Sequence, residues 1–319
     1  VGAALGYRFQ ENEQIVALVK QHFNILTPEN AMKWQPIHPQ PDRYDFAAAD
    51  ALVEFARQNG MKVIGHCLTW HSQTPKWVFE HADGTPLSRG ELLQRMQEHI
   101  TTVMSRYKGQ IHGWDVVNEA LSDDGDAVLR DSPYKKIIGD DYLEYSFRFA
   151  READPNAELY YNDYNMADPQ KRDRAVALLS GLKAKGVPID GVGMQAHWSI
   201  YDPPIEEIEK SILAYHDLGL KVMITELDLS LYTFDDRRKL YEEGIPDSIL
   251  QLQAERYAAI VALFKKHSDK ITRVTFWGPT DRYSWLNGFP VPNRRNAPLL
   301  FDREGMPKPA YEAVIRVAQ

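Results

Sequence analysis

Short apolar, β-rich runs alternate with amphipathic stretches of helical period from one end of the 319-residue chain to the other. Strands are predicted over 4–7, 24–27, 62–67, 111–117, 158–162, 191–196, 221–225 and 273–277. Most are apolar on both faces, as strands must be when helices cover one side and a packed interior fills the other. Helix starts and stops punctuate the gaps. Ser88-x-x-Glu91 reads as a capping box ahead of Leu92, Leu93 and Met96, and Asp168-Pro169 sets a cap before a first-turn proline. Gly60, Gly186 and Gly219 stand just before the next strand, where a helix-ending glycine belongs. Eight strand–helix units with no linker or low-complexity block predict an α/β fold, one (β/α)8 TIM barrel spanning residues 1–319 as a single domain.

An open doubly wound sheet is the competing architecture. It fits less well, because the first strand–helix turn lacks a phosphate-binding glycine loop. Gly191-Val-Gly-Met-Gln-Ala196 matches the dinucleotide fingerprint by letter, but it lies within a strand and leads into His197-Trp198 instead of a helix.

Composition narrows the classes without choosing among enzymes. A hydrophobic share of 44% with 26% charged residues is that of a globular chain, and no apolar run reaches membrane-spanning length. A net charge of −8 argues against nucleic acid as a partner, since Arg237-Arg238 and Arg294-Arg295 are only isolated basic pairs. The single cysteine, Cys67, excludes an internal disulfide and sits in a strand-like apolar run as a small core residue.

In a barrel of this kind, reactive groups gather at the strand C-termini. Reading those ends collects Glu29-Asn30, His66, Trp70, Asn118-Glu119, Asn162-Asp163-Tyr164, Gln195, His197, Glu226, Asp228 and Trp277. Amides and carboxylates hydrogen-bond hydroxyls, and indole or phenol faces stack on pyranose rings. Glu119 and Glu226 each emerge from an apolar strand, so each is partly desolvated, which favours the protonated form that a general acid needs. Two carboxyls with opposite duties are what glycoside hydrolysis requires.

Asn-Glu after the fourth strand with Glu on the seventh resembles the large clan of retaining barrel glycosidases. Fuller strings narrow the resemblance: Thr27-Pro-Glu-Asn-Ala-Met-Lys-Trp34, Gly65-His-Cys-Leu-Thr-Trp-His71, Trp114-Asp-Val-Val-Asn-Glu-Ala120, Tyr161-Asn-Asp-Tyr-Asn165, Gly193-Met-Gln-Ala-His-Trp198, Ile224-Thr-Glu-Leu-Asp228 and the stretch from Trp277 to Trp285. Together they resemble glycoside hydrolase family 10, the endo-β-1,4-xylanases, from about Leu5 to about Ala313.

The resemblance implies Glu119 as acid/base and Glu226 as nucleophile, with a covalent glycosyl-enzyme, net retention and carboxyls roughly 5–5.5 Å apart. It implies Asn118 as partner of the sugar 2-hydroxyl, and a His197–Asp228 pair in which the acid orients the imidazole against Glu226. Glu29, Asn30, Lys33, His66, Trp70, Gln73, Gln195, Trp277 and Trp285 match glycone-side contacts, and Tyr164 an aromatic on the leaving-group side. The implied substrate is xylan or xylo-oligosaccharide, cut by a monomer without metal or cofactor.

The chain departs from the family pattern at Pro279 and Arg282-Tyr283 and in the loop from Leu286 to Pro298. A solvated rim loop is the plain reading there. Arg282, Arg294 or Arg295 meeting a glucuronyl branch is the alternative. Three other functions stay open on the residues alone. A cellulase or mannanase would differ in its rate on carboxymethylcellulose. A catalytically dead sugar-binding barrel would have no need of both glutamates. Metal-dependent hydrolysis would be stopped by EDTA, but no H-E-x-x-H occurs. The sequence opens at Val1 and not at Met, with no signal-peptide pattern, so its N-terminus does not assign a compartment. An exported enzyme is the expectation, with a cytoplasmic one acting on imported oligosaccharides as the alternative.

Overall fold

The computed structural model describes residues 1–123 and 127–319. Its strands are β1 (Gly2–Leu5), β2 (Ile25–Pro28), β3 (Lys62–Trp70), β4 (Gly113–Asn118), β5 (Glu158–Asp163), β6 (Gly191–Met194), β7 (His197–Ser199), β8 (Lys221–Ser230) and β9 (Ile271–Phe276). Neighbours pair in parallel, β1 through β6 in chain order. β6 then pairs β8, β8 pairs β9, and β9 returns to β1, which closes an eight-stranded barrel.

Among the described residues, eight helices of ten or more residues cover its outside: Glu13–His22, Ala47–Gln58, Arg89–Arg106, Tyr142–Ala153, Pro169–Ala184, Ile205–Asp217, Asp247–Lys266 and Pro309–Ala318. Each follows a barrel strand. Tyr142–Ala153 illustrates why: Leu143, Ser146, Phe147 and Ala150 recur at helical spacing and are all buried. The boundary signals perform as expected. Ser88 and Glu91 form a reciprocal capping box, Asp168 caps Lys171, and Gly60, Gly186 and Gly219 have φ of 65°, 67° and 72°.

Packing on both faces of the barrel sheet depends on missing side chains. A Cβ on Gly65 would lie 2.1 Å from the Trp114 ring, and one on Gly113 would lie 2.4 Å from the Tyr160 hydroxyl. These glycines on β3 and β4 make the space that two fully buried aromatics fill. Gly65→Ala is therefore expected to destabilise the fold by about 1–3 kcal/mol, the usual scale for overpacking, because a ring fixed in the core must shift. Chemical denaturation of the variant against wild type measures this.

One expected strand is two. The predicted strand over 191–196 ends at Met194, and Ala196 takes a left-handed φ of 63° before β7 begins. The predicted strand over 221–225 instead runs on to Ser230, so its outer half offers an edge that β7 joins. His197 then lies in register opposite Asp228. Glu226 consequently stands within a long strand and not at the end of a short one.

Candidate active site

Residues from β2 through β9 meet at the barrel's C-terminal mouth. β4 ends at Asn118, and Glu119 follows with φ 56°, a left-handed conformation that is costly for a residue with a side chain. It breaks the strand's two-residue alternation. Asn118 and Glu119 therefore serve one site: Gln195 Nε2 donates to Asn118 Oδ1 at 3.3 Å and to Glu119 Oε1 at 2.9 Å. The Trp70 indole N–H donates to Glu119 Oε2 at 2.8 Å.

Asn162, at the matching level of β5, links the second carboxyl. Its Nδ2 donates to Asn118 Oδ1 and to Glu226 Oε1, both at 2.9 Å, while its Oδ1 accepts from Thr225 Oγ1 at 2.6 Å. Two amides thus run between Glu119 and Glu226, through Asn118. With its Oδ1 held by two donors, Asn118 has only its Nδ2 left to offer a hydroxyl, and among the described residues nothing accepts from it. Gly193 leaves room for this arrangement, since a Cβ there would lie 2.3 Å from Asn162 Oδ1.

Glu226 Oε2 faces His197 Nε2 at 3.0 Å, and His197 Nδ1 faces Asp228 Oδ2 at 2.9 Å. The Trp285 indole N–H donates to the same Asp228 oxygen at 2.9 Å, and its ring tilts over His197 with centroids 4.8 Å apart. His197 is thus enclosed by two carboxylates. Burial works against its charge, but Asp228 and then Glu226 outweigh burial and raise its pKa to about 10. It is an imidazolium at neutral pH.

The two glutamates separate electrostatically. Burial pushes Glu119 above the usual carboxyl range, and the nearby charges of Asp163 and Glu226 push it further, against neutral N–H donors from Gln195 and Trp70. Burial pushes Glu226 up as well, but hydrogen bonding to His197, the positive influence of His66 and the Asn162 amide bring it below the usual range. The two shifts run in opposite directions, Glu119 toward its protonated form and Glu226 toward its ionised form.

The remaining expected residues line the same mouth. His66 Nδ1 pairs with Asp115 at 2.9 Å, and its ring meets Trp277 edge-on at 5.3 Å. Lys33 Nζ donates to Asn30 Oδ1 at 2.9 Å and lies 4.8 Å from the Trp70 ring centroid. Glu29 is raised by burial, with Lys33 drawing it back. On the opposite side the Tyr164 hydroxyl donates to Asp123 and accepts from Arg130. Gln73 is exposed on the rim, with φ 44°.

Sequence reasoning assigned no role to Asn162 or Asp115. Asn162 had been collected as a polar strand end, and Asp115 gives no outward sign that it faces His66 across two strands. The rim arginines need correction. Arg294 is 2% exposed, lies 4.0 Å over the Tyr232 ring and donates to the Asp236 carbonyl, so it is a packing residue under the loop and unavailable to a sugar branch. Arg282 and Arg295 are exposed, and Arg282 Nε donates to the Arg303 carbonyl at 3.0 Å.

A family model described as "Glycosyl hydrolase family 10" matches residues 1–317. The chain is 44% identical over 315 residues to endo-1,4-beta-xylanase B of Paenibacillus barcinonensis, covering 99% of this chain and 94% of that protein. It is 45% identical over 320 residues to an endo-1,4-beta-xylanase of Geobacillus stearothermophilus, covering 99% and 95%. Among solved structures, xylanase B from Clostridium stercorarium F9 superposes with a TM-score of 0.95 at 46% identity, over 98% of this chain and 95% of that one.

Proposed function

The chain belongs to glycosyl hydrolase family 10, and from that premise we propose that it is a retaining endo-1,4-β-xylanase acting by double displacement. Glu119 protonates the leaving glycosidic oxygen while Glu226 attacks the anomeric carbon, giving a glycosyl-enzyme ester. Glu119, now a carboxylate, takes a proton from water, and the water attacks the same carbon to restore Glu226. Two inversions at one carbon give net retention.

The observation that carries this reading is the opposite environment of two carboxyls joined by the Gln195–Asn118–Asn162 amide chain. Glu226 has an imidazolium at 3.0 Å and is favoured as the attacking anion, whereas Glu119 meets only the neutral donors Trp70 and Gln195 and is shifted toward its protonated form. Asn118 Nδ2 is the donor this reading gives to the sugar 2-hydroxyl. Lys33, Asn30, His66 and Trp70 form the polar and aromatic wall for the glycone.

Xylan as substrate draws its support from the relatives named above and the family motifs. Initial rates on xylan and on carboxymethylcellulose, with products sized over time, test it. Faster cleavage of xylan with early release of mixed xylo-oligosaccharides is expected. Preference for the cellulose derivative would end the substrate assignment, and release of xylose alone would end the endo assignment.

A further inference from the structure

The buried charges around Glu119 include one network that the reaction as written leaves unused. Asp163 closes β5 and is fully buried. Its Oδ1 meets Lys171 Nζ at 3.0 Å and the Tyr164 N–H at 2.8 Å. Its Oδ2 accepts from the Leu121 N–H at 3.2 Å and from the Tyr161 hydroxyl. That hydroxyl accepts in turn from the N–H groups of Ala120 and Leu121, at 3.1 Å each. These are the two amides that follow Glu119. The Glu119 N–H donates to the Asn162 carbonyl at 2.9 Å, and Arg130 Nε donates to the Glu119 carbonyl at 3.2 Å. The strained turn is therefore held from both sides, chiefly by three successive residues of β5.

We propose that Asp163 is a positioning residue for Glu119, fixing the left-handed turn through Tyr161 and the Leu121 amide and setting a negative charge behind the acid/base. Lys171 favours Asp163 as the anion. The proposal rests on the reading of Glu119 as acid/base. Four donors converge on the Asp163 carboxyl and favour its anion, while burial outweighs them and raises it above the usual carboxyl range. Lys171 is buried, shared with Asp123 at 2.8 Å, and lies 3.5 Å from the Tyr164 ring centroid.

Among the described residues, the charges that act on the Glu119 carboxyl are Asp163 from β5 and Glu226 from β8. Arg130, on the segment after β4, meets its carbonyl, and the buried Cys67 of β3 feels its charge. Arg130 and Lys171 are themselves paired with Asp123. Asp163 acts on Glu119 more strongly than Glu226 does. Glycosylation needs Glu119 protonated, so activity falls as pH rises through its pKa. A fixed anion behind it moves that loss to higher pH.

The test is Asp163→Asn, which keeps the side-chain shape and leaves Lys171 paired with Asp123. On xylohexaose the basic limb of kcat/KM against pH is expected to move down by about one unit, the lower end of the effect of a close charge. The acid limb, set by Glu226, should stay. The loss should be much smaller on 2,4-dinitrophenyl β-xylobioside, whose leaving group needs no proton. Tyr161→Phe removes the hold on Ala120 and Leu121 without removing charge. It should lower kcat/KM on xylohexaose more than on the aryl glycoside, with the basic limb in place. An unmoved basic limb in Asp163→Asn, or equal losses on both substrates in Tyr161→Phe, would overturn the proposal. Equal losses of kcat/KM on the two substrates in Glu119→Ala would refute the acid/base reading itself, a distinct result.

Discussion

Glu226→Ala is expected to lower kcat on xylan by about 10,000-fold or more, the scale seen when a covalent nucleophile is removed. The argument is local. Glu226 is held on both oxygens, by Asn162 at 2.9 Å and by His197 at 3.0 Å, so its carboxylate cannot be replaced by a neighbour that swings in. Alanine leaves an imidazolium still paired with Asp228 at 2.9 Å, so the fold should survive. The space also admits a small anion. With 2,4-dinitrophenyl β-xylobioside and added azide, the variant should give the α-glycosyl azide, because one displacement means one inversion. Wild-type-like turnover on xylan without added nucleophile would show that Glu226 does not attack.

Glu119→Ala should behave differently, and the contrast is informative. A general acid contributes roughly 100- to 10,000-fold, so xylan cleavage should fall within that range. The first step on the dinitrophenyl glycoside should be nearly unaffected, since dinitrophenolate departs without a proton. The glycosyl-enzyme then waits for water that nothing deprotonates, and turnover stalls after a burst. Azide needs no base. It should restore turnover and give the β-glycosyl azide, because the intermediate has already been inverted once. The two alanine variants therefore predict products of opposite anomeric configuration from one substrate and one anion. Measuring the azide product by proton NMR checks both. Identical configuration from the two would contradict the division of labour.

The parts of this site visible in the sequence were those with a local signature. Glu119 and Glu226 stood out because each interrupts or follows an apolar strand, and the eightfold alternation placed them at one barrel mouth. His197 and Asp228 were paired only through family resemblance. Their actual relation depends on the left-handed Ala196 and on β8 running to Ser230, which creates the β7 edge. Neither feature has a propensity signature, since an alanine is an unusual occupant of that conformation.

Asn162 and Asp163 were equally hard to interpret. Their roles arise from strand register, which sets Asn118 opposite Asn162 and brings Tyr161 under the turn after Glu119. Arg294 shows the opposite failure. A basic pair in a proline-containing loop reads as solvated rim, yet the Tyr232 ring and the Asp236 carbonyl hold its guanidinium in the interior. Buried Lys308, at 2.9 Å from Asp281, is a second charge beneath the same loop that composition alone would have placed in water.

The claim on which the account turns is that Glu226 becomes covalently attached to the sugar. The direct measurement is intact-protein mass spectrometry of wild-type enzyme treated with a 2-deoxy-2-fluoro-β-xylobioside carrying a good leaving group, followed by peptide mapping. Fluorine at the 2-position slows both steps by destabilising the oxocarbenium-like transition state, and the activated leaving group lets the first step still proceed. The account predicts one added glycosyl mass per chain, located on Glu226 and absent in Glu226→Ala. An adduct on any other residue, or no adduct together with a first-formed α-anomer from xylo-oligosaccharides, would contradict it.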